Sequence, residues 1–172
     1  RDALMPWATA IVEAVHILFA ITWFGAVLTA QLVTHPALER LPPTWHRMAL
    51  TRYSRAAKRI IRPAVLGVIV LGVLRGTAWG PIQSVTMLTS MYGLTWLASL
   101  LLTIGLYVWG RRVMTRGYLH LIRLPEGAEL DPDGQASPAL LDAVRRLQRN
   151  GRLQLVGFVF ILGCMVLMRF GF

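Results

Sequence analysis

WATAIVEAVHILFAITWFGAVLTAQLVT, residues 7–34, decides the fold. It carries one acid, Glu13, and one histidine, His16, in an otherwise apolar run with small hydroxyls and a single amide. A helix needs about 20 mostly apolar residues to cross the hydrocarbon of a bilayer. A backbone polar group left unpaired there costs several kcal/mol, so such a run reads as a membrane-spanning helix.

Three further stretches share this character, at about 63–79, 88–109 and 153–168. Charge collects between them unevenly. The connection after the first stretch holds Arg40, Arg47, Arg52, Arg55, Lys58, Arg59 and Arg62 against the single acid Glu39. The connection after the third holds Arg111, Arg112, Arg116, Arg123, Arg145, Arg146, Arg149 and Arg152. Residues 80–87, between the second and third stretches, carry no charge. In an up-down chain the first and third connections share one side of the membrane. The positive-inside rule then predicts that both arginine-rich segments are cytoplasmic and both termini are outside.

The expected fold is therefore all-α: one integral membrane domain, residues 1–172, built as a four-helix bundle. Short amphipathic helices are expected to lead into the second and fourth spans. In the first, Trp45, Met48, Ala49, Tyr53, Ala56 and Ile60 share a face, with Thr44 as N-cap; in the second, Leu140, Leu141, Val144 and Leu147 do so after Ser137-Pro138. Pro6 suits the first turn of helix one, and Pro36 is expected to close that helix. Trp109-Gly110-Arg111-Arg112 reads as the interfacial anchor ending span three. Residues 125–138, with Glu126, Glu129, Asp131 and Asp133, read as an exposed loop. Arg62 and Gly67 recur in spacing as Arg152 and Gly157, a hint of a duplicated two-helix unit.

A net charge of +10 and 55% hydrophobic residues suit a compact membrane protein. The basic residues flank the spans, where anionic headgroups and topology account for them, so no nucleic-acid partner is expected. The lone Cys164 excludes an intrachain disulfide. The N-terminal stretch is too long and wrongly flanked for a cleaved signal peptide. The chain opens on Arg1 rather than Met, so it is expected to begin inside a longer one. No nucleotide-binding loop, catalytic Ser-His-Asp order, HExxH or CxxC is present, which removes support for soluble hydrolase and kinase chemistries.

Polar groups within spans are costly, so they are the functional candidates. Glu13 and His16 stand one turn apart on a stripe with Ala20, Trp23, Val27 and Thr34, a spacing that allows the carboxylate to orient the imidazole. Arg75 sits near the outer end of span two, where it can pair with Glu13 or snorkel to headgroups. Met91 and Tyr92 open span three; Cys164, Met165, Met168 and Arg169 close span four. Three readings of His16 compete. It is a neutral core histidine, or a haem ligand with Arg75 and Arg169 pairing propionates, or a copper ligand with Met165, Met91 or Cys164. Spans two to four hold no histidine, and His35 lies about 28 Å along the same helix, so the two cannot share one iron. Gly25, Gly67, Gly72 or Gly105 could open a slot for haem. His46 and His120 are expected to face solvent.

Val15-His16-Ile17-Leu18-Phe19-Ala20-Ile21-Thr22-Trp23-Phe24-Gly25-Ala26, followed by His35-Pro36, resembles the opening helix of CopD-like membrane proteins (copper-resistance protein D type). It is also similar to the HemJ-type protoporphyrinogen oxidases, which share a histidine-bearing helix with a Trp-Phe/Val-Gly element. Tyr92-Gly93-Leu94-Thr95-Trp96-Leu97 looks like the Tyr-Gly or Trp element that opens a helix in those families. The resemblance implies that His16 is haem-ligating or metal-linked, with Trp23 beside it. HemJ-type proteins place a lysine in the helix matching span three; here Ala98 or Ser99 stands there, which speaks against protoporphyrinogen oxidation.

The combined expectation is a bundle of a bacterial plasma membrane with a haem b or copper site around His16 in its outer half, acting in redox chemistry or metal handling. Its rivals are a cofactor-free structural subunit of a larger membrane complex, or a copper-permeation component. The expected partners are the bilayer and, besides it, other subunits or a second copy of the chain.

Overall fold

The computed structural model of the chain describes residues 4–125 and 127–170; Glu126 of the expected loop lies outside them. Among the described residues there are four helical rods and no strand, only an isolated bridge between Leu130 and Ala136. The first rod is α1 (Leu4–Thr29), a π-helical turn (Ala30–Thr34) and α2 (His35–Glu39). The second is α3 (Pro43–Gly76). The third is α4 (Met91–Trp109), a second π turn (Gly110–Met114) and α5 (Thr115–Ile122), and the fourth is α6 (Pro138–Phe170). α1 packs chiefly on α3 and α4 chiefly on α6, with α3 against α4 joining the two pairs.

Three segments, Trp7–Leu38, Met91–Ile122 and Pro138–Phe170, are long and apolar enough to cross a membrane. Large apolar side chains cover the outside of the rods, among them Ile11, Leu18, Ile21, Leu66, Val70, Leu101, Val159 and Phe160. A contiguous exposed apolar surface of this kind in water would drive association, and lipid is the solvent that suits it. In α3 only residues 63–74, between Arg62 and Arg75, are free of charge, about 18 Å of helix.

Two cores stack along the rods. The first joins Trp23, Val27, Ala64, Val65, Val68 and Phe158. The second, at the arginine-rich end, joins Leu50, Met114, Leu121, Leu140, Ala143 and Leu147. This second core corrects the expectation of interfacial helices. The amphipathic lead-ins are the inner ends of the long helices α3 and α6 rather than separate short helices; Leu50 of the first and Leu140 and Leu147 of the second bury in this core. The face differs accordingly: Trp45 and Ile60 are exposed, while His46, Leu50 and Ser54 are buried.

The helix ends differ as well. Pro42, not Thr44, is the N-cap of α3, and α3 ends at Gly76. α4 begins at Met91 with Ser90 as its cap, whose hydroxyl accepts from the Gly93 N–H at 3.1 Å. Pro36 does not close the first helix. The π turn just before it makes i→i−5 bonds, with the His35 N–H donating to Ala30, and the wider turn lets the rod continue past the proline ring. The third rod likewise runs through Arg111 and Arg112 to Ile122. The loop before α6 is docked rather than free: Arg47 reaches the Glu129 carboxylate at 2.8 Å and the Leu124 carbonyl, and Glu129 is buried.

Close approach of α1 and α3 depends on Gly67, where a Cβ would run into the Phe19 ring; Gly25 has open space around it. Gly67→Ala is expected to lower unfolding stability by about 1–3 kcal/mol. Gly25→Ala should leave it unchanged within about 0.5 kcal/mol or raise it slightly through helix propensity. Thermal unfolding of the two variants in detergent, followed by circular dichroism, checks the contrast.

Candidate functional site

The four rods enclose a cavity of about 520 Å³ at the end away from the arginine-rich core. The helical periodicity of each rod sends one stripe into it. α1 supplies Glu13, His16, Ala20, Trp23 and Phe24, and α3 supplies Val68, Ile69, Gly72, Arg75 and Gly76. From α4 come Tyr92, Trp96, Ser99, Leu100 and Thr103, and from α6 Phe158, Ile161, Leu162, Met165, Met168 and Arg169. The walls are mostly apolar and aromatic, with few polar groups, in the size range of small-molecule and cofactor sites.

His16 is 6% exposed, and its Nδ1 is buried with no hydrogen-bond partner among the described residues. Its ring faces the backbone of Val68 and lies over Gly72, where a Cβ would stand 3.2 Å from Cε1. One turn on, a Cβ at Gly76 would collide with the Trp96 indole, whose Nε1 donates to the Gly72 carbonyl at 3.2 Å. Two glycines in α3 thus seat an imidazole from α1 and an indole from α4 on one backbone.

Glu13 and Arg75 meet as expected, Oε1 to Nη2 at 2.9 Å, each side chain more than a third exposed. The carboxylate is therefore engaged by the guanidinium, and the Nδ1 of His16 does not receive it. Arg169 is exposed at the cavity rim. Met165 and Met168 line the wall; Cys164 is half-buried and Met91 is 61% exposed, and neither lines it. Of the four glycines considered for a slot, Gly72 lines the cavity, Gly67 holds Phe19, and Gly25 and Gly105 have nothing within 4 Å. Among the described residues no three His, Cys, Asp or Glu side chains converge on a common point.

Sequence reasoning gave Trp96, Ser99, Thr103 and Phe158 no part in the site. The pair Ser99 and Thr103 carried a signal: small hydroxyls four residues apart on a span mark a face turned to other helices. Both bond within their own helix, Ser99 to the Trp96 carbonyl at 2.8 Å and Thr103 to Ser99 at 2.7 Å, so they line the wall without unmet polar need. His46 is a correction: it is buried, with Nε2 donating to the Leu38 carbonyl at 2.6 Å. His120 is exposed as expected, and His35 is buried against the Tyr118 hydroxyl at 3.0 Å.

A double-mutant cycle on Glu13→Gln and Arg75→Gln is expected to give a coupling of about 1 kcal/mol, modest because water reaches both side chains. The double variant should lose about 1 kcal/mol less stability than the sum of the two single losses. Urea unfolding in matched detergent measures it; zero coupling would mean the pair does not tie α1 to α3. In comparison with known proteins, no protein-family model, no curated protein and no solved structure matches the chain.

Proposed function

We propose that the chain is a multi-pass protein of a bacterial plasma membrane that holds a b-type haem in the cavity beside His16 and serves membrane redox chemistry. The observation that carries the reading is that His16 lines an apolar cavity of about 520 Å³ while its Nδ1 is buried without a hydrogen-bond partner among the described residues. An imidazole nitrogen buried without a partner costs about 1–3 kcal/mol, a cost that a bond to a ligand would remove.

The residues present fit this group. His16 would hold the haem iron through its imidazole, and Arg75 and Arg169 would pair with the propionates at the rim. Bound there, haem would supply one-electron transfer. The chain's own part is binding and exclusion. Val68 and Phe158, both buried, close the cavity toward the core. Glu13 holds the Arg75 guanidinium at the rim. Trp96, bonded to Gly72, keeps that backbone close enough to α1 to seat the imidazole. The resemblance of helix one to CopD-like and HemJ-type proteins points to the same histidine.

Met165 and Met168 on the same wall favour a second reading, a Cu(I) site with His16. Iron, copper and haem content of wild type beside His16→Ala, at matched helicity, separates the readings. The haem reading expects a Soret band in wild type that His16→Ala loses. Bound copper lost in that variant, without the band, supports the copper reading. Equal content in both proteins, or none in either, leaves a cofactor-free structural subunit of a larger membrane complex ahead.

In the same reading all four rods cross the bilayer, α3 with Arg62 at one interface and Arg75 neutralised by Glu13 at the other. The arginine-rich connections face the cytoplasm and both termini face out. With Cys164 removed, a cysteine placed at the exposed Gln135 should react with an impermeant maleimide only after the membrane is opened. Labelling from the outer side of intact cells would reverse the orientation.

A further inference from the structure

A second cavity, of about 210 Å³, lies toward the arginine-rich end, and Trp23 is the residue that lines both. Its floor is apolar, with Val27, Val65 and Leu106. Its other walls carry Lys58, Arg62 and Arg111, together with the side chains of Tyr53, Tyr118 and Gln154. No carboxylate lines it, and among the described residues none of the three cations makes an ion pair. Both π turns of the chain supply its lining, Ala30 and Gln31 from one and Gly110, Arg111 and Met114 from the other. π turns gather at functional sites because the wider turn opens space and redirects side chains.

We propose that this cavity binds the phosphate head group of one anionic phospholipid. Three cations, of which Arg62 and Arg111 are exposed and Lys58 half-buried, share one concavity that no carboxylate lines, an arrangement that suits an anion. Hydroxyl and amide donors within it suit phosphate oxygens. The cavity is too small for a whole two-chain lipid, so the chains must lie outside, and exposed Leu32, Val33, Ile60 and Val108 nearby offer them an apolar surface. Basic pockets between membrane helices on the positively charged side are a known kind of head-group site. The inference rests on the bilayer reading of the chain and is independent of haem or copper at His16.

The test uses the whole chain in nanodiscs of phosphatidylcholine doped with phosphatidylglycerol, with retained lipid counted by native mass spectrometry. One phosphatidylglycerol should stay bound per chain after phosphatidylcholine is stripped. Arg62→Gln/Arg111→Gln should weaken its binding by about tenfold or more. Arg52→Gln/Arg55→Gln removes the same charge from exposed positions that do not line the cavity, and should change binding less than about twofold. A photoactivatable phosphatidylglycerol on wild type should cross-link to residues 58–62 and 107–115, a readout that needs no variant to fold. Equal retention of the two lipids, equal loss in the two double variants, cross-links elsewhere, or saturation by inorganic phosphate with no lipid preference would each overturn the proposal.

Discussion

Trp23 meets Phe158 edge to face, ring centroids 4.6 Å apart, and the two cavities of the bundle lie on either side of that contact. Phe24 closes on the same Phe158 at 5.3 Å, so one ring of α6 is held by two successive residues of α1. An aromatic pair contributes about 0.5–1.5 kcal/mol beyond its buried area. Its larger effect here is geometric. α1 packs mainly on α3, and α6 mainly on α4, so the link from Trp23 and Phe24 to Phe158 adds an α1–α6 contact to the α3–α4 packing that joins the two helix pairs.

The two helix pairs are built alike. Each begins with a rod interrupted by a π turn, Ala30–Thr34 in the first and Gly110–Met114 in the second. Each continues into a long helix carrying an arginine and, five residues later, a glycine: Arg62 and Gly67, Arg152 and Gly157. The glycines do the same job. Gly67 receives Phe19 from the preceding rod, and Gly157 receives Leu106 from its own. The spacing that hinted at duplication in the sequence thus corresponds to a repeated packing device, and the matched π turns extend the likeness to features invisible in the sequence.

How much could be read beforehand follows from which forces are local. The α1 stripe of His16, Ala20, Trp23 and Val27 was legible because helical periodicity alone determines it. The Glu13–Arg75 pair was legible because few charges stand near that end. The continuity of the rods was not. Pro36 and the charges at Arg111 and Arg112 read as stops, and only the π turns, which follow from packing between rods, carry the helices past them. The buried state of His46, Leu50 and Glu129 was hidden for the same reason: their partners, Leu38, Leu121 and Arg47, come from other segments of the chain. Nothing local to Trp96 tells that its indole will lie against Gly76.

Charge placement ties the chambers to the ends of the bundle. Near the His16 chamber the guanidinium of Arg75 is balanced by Glu13, so that rim is neutral apart from the exposed Arg169. Around the other chamber Lys58, Arg62 and Arg111 stand without acids. In water such an imbalance would cost little, because screening reduces it over about 10 Å. Beside a low-dielectric bilayer it costs more, and three long side chains could relieve it by turning outward. Arg111, exposed, lies over the Tyr107 ring at 5.9 Å, with its Nη1 donating to that hydroxyl at 3.5 Å. The bundle thus pairs Arg75 with an acid at one end and, among the described residues, leaves cations without acids at the other.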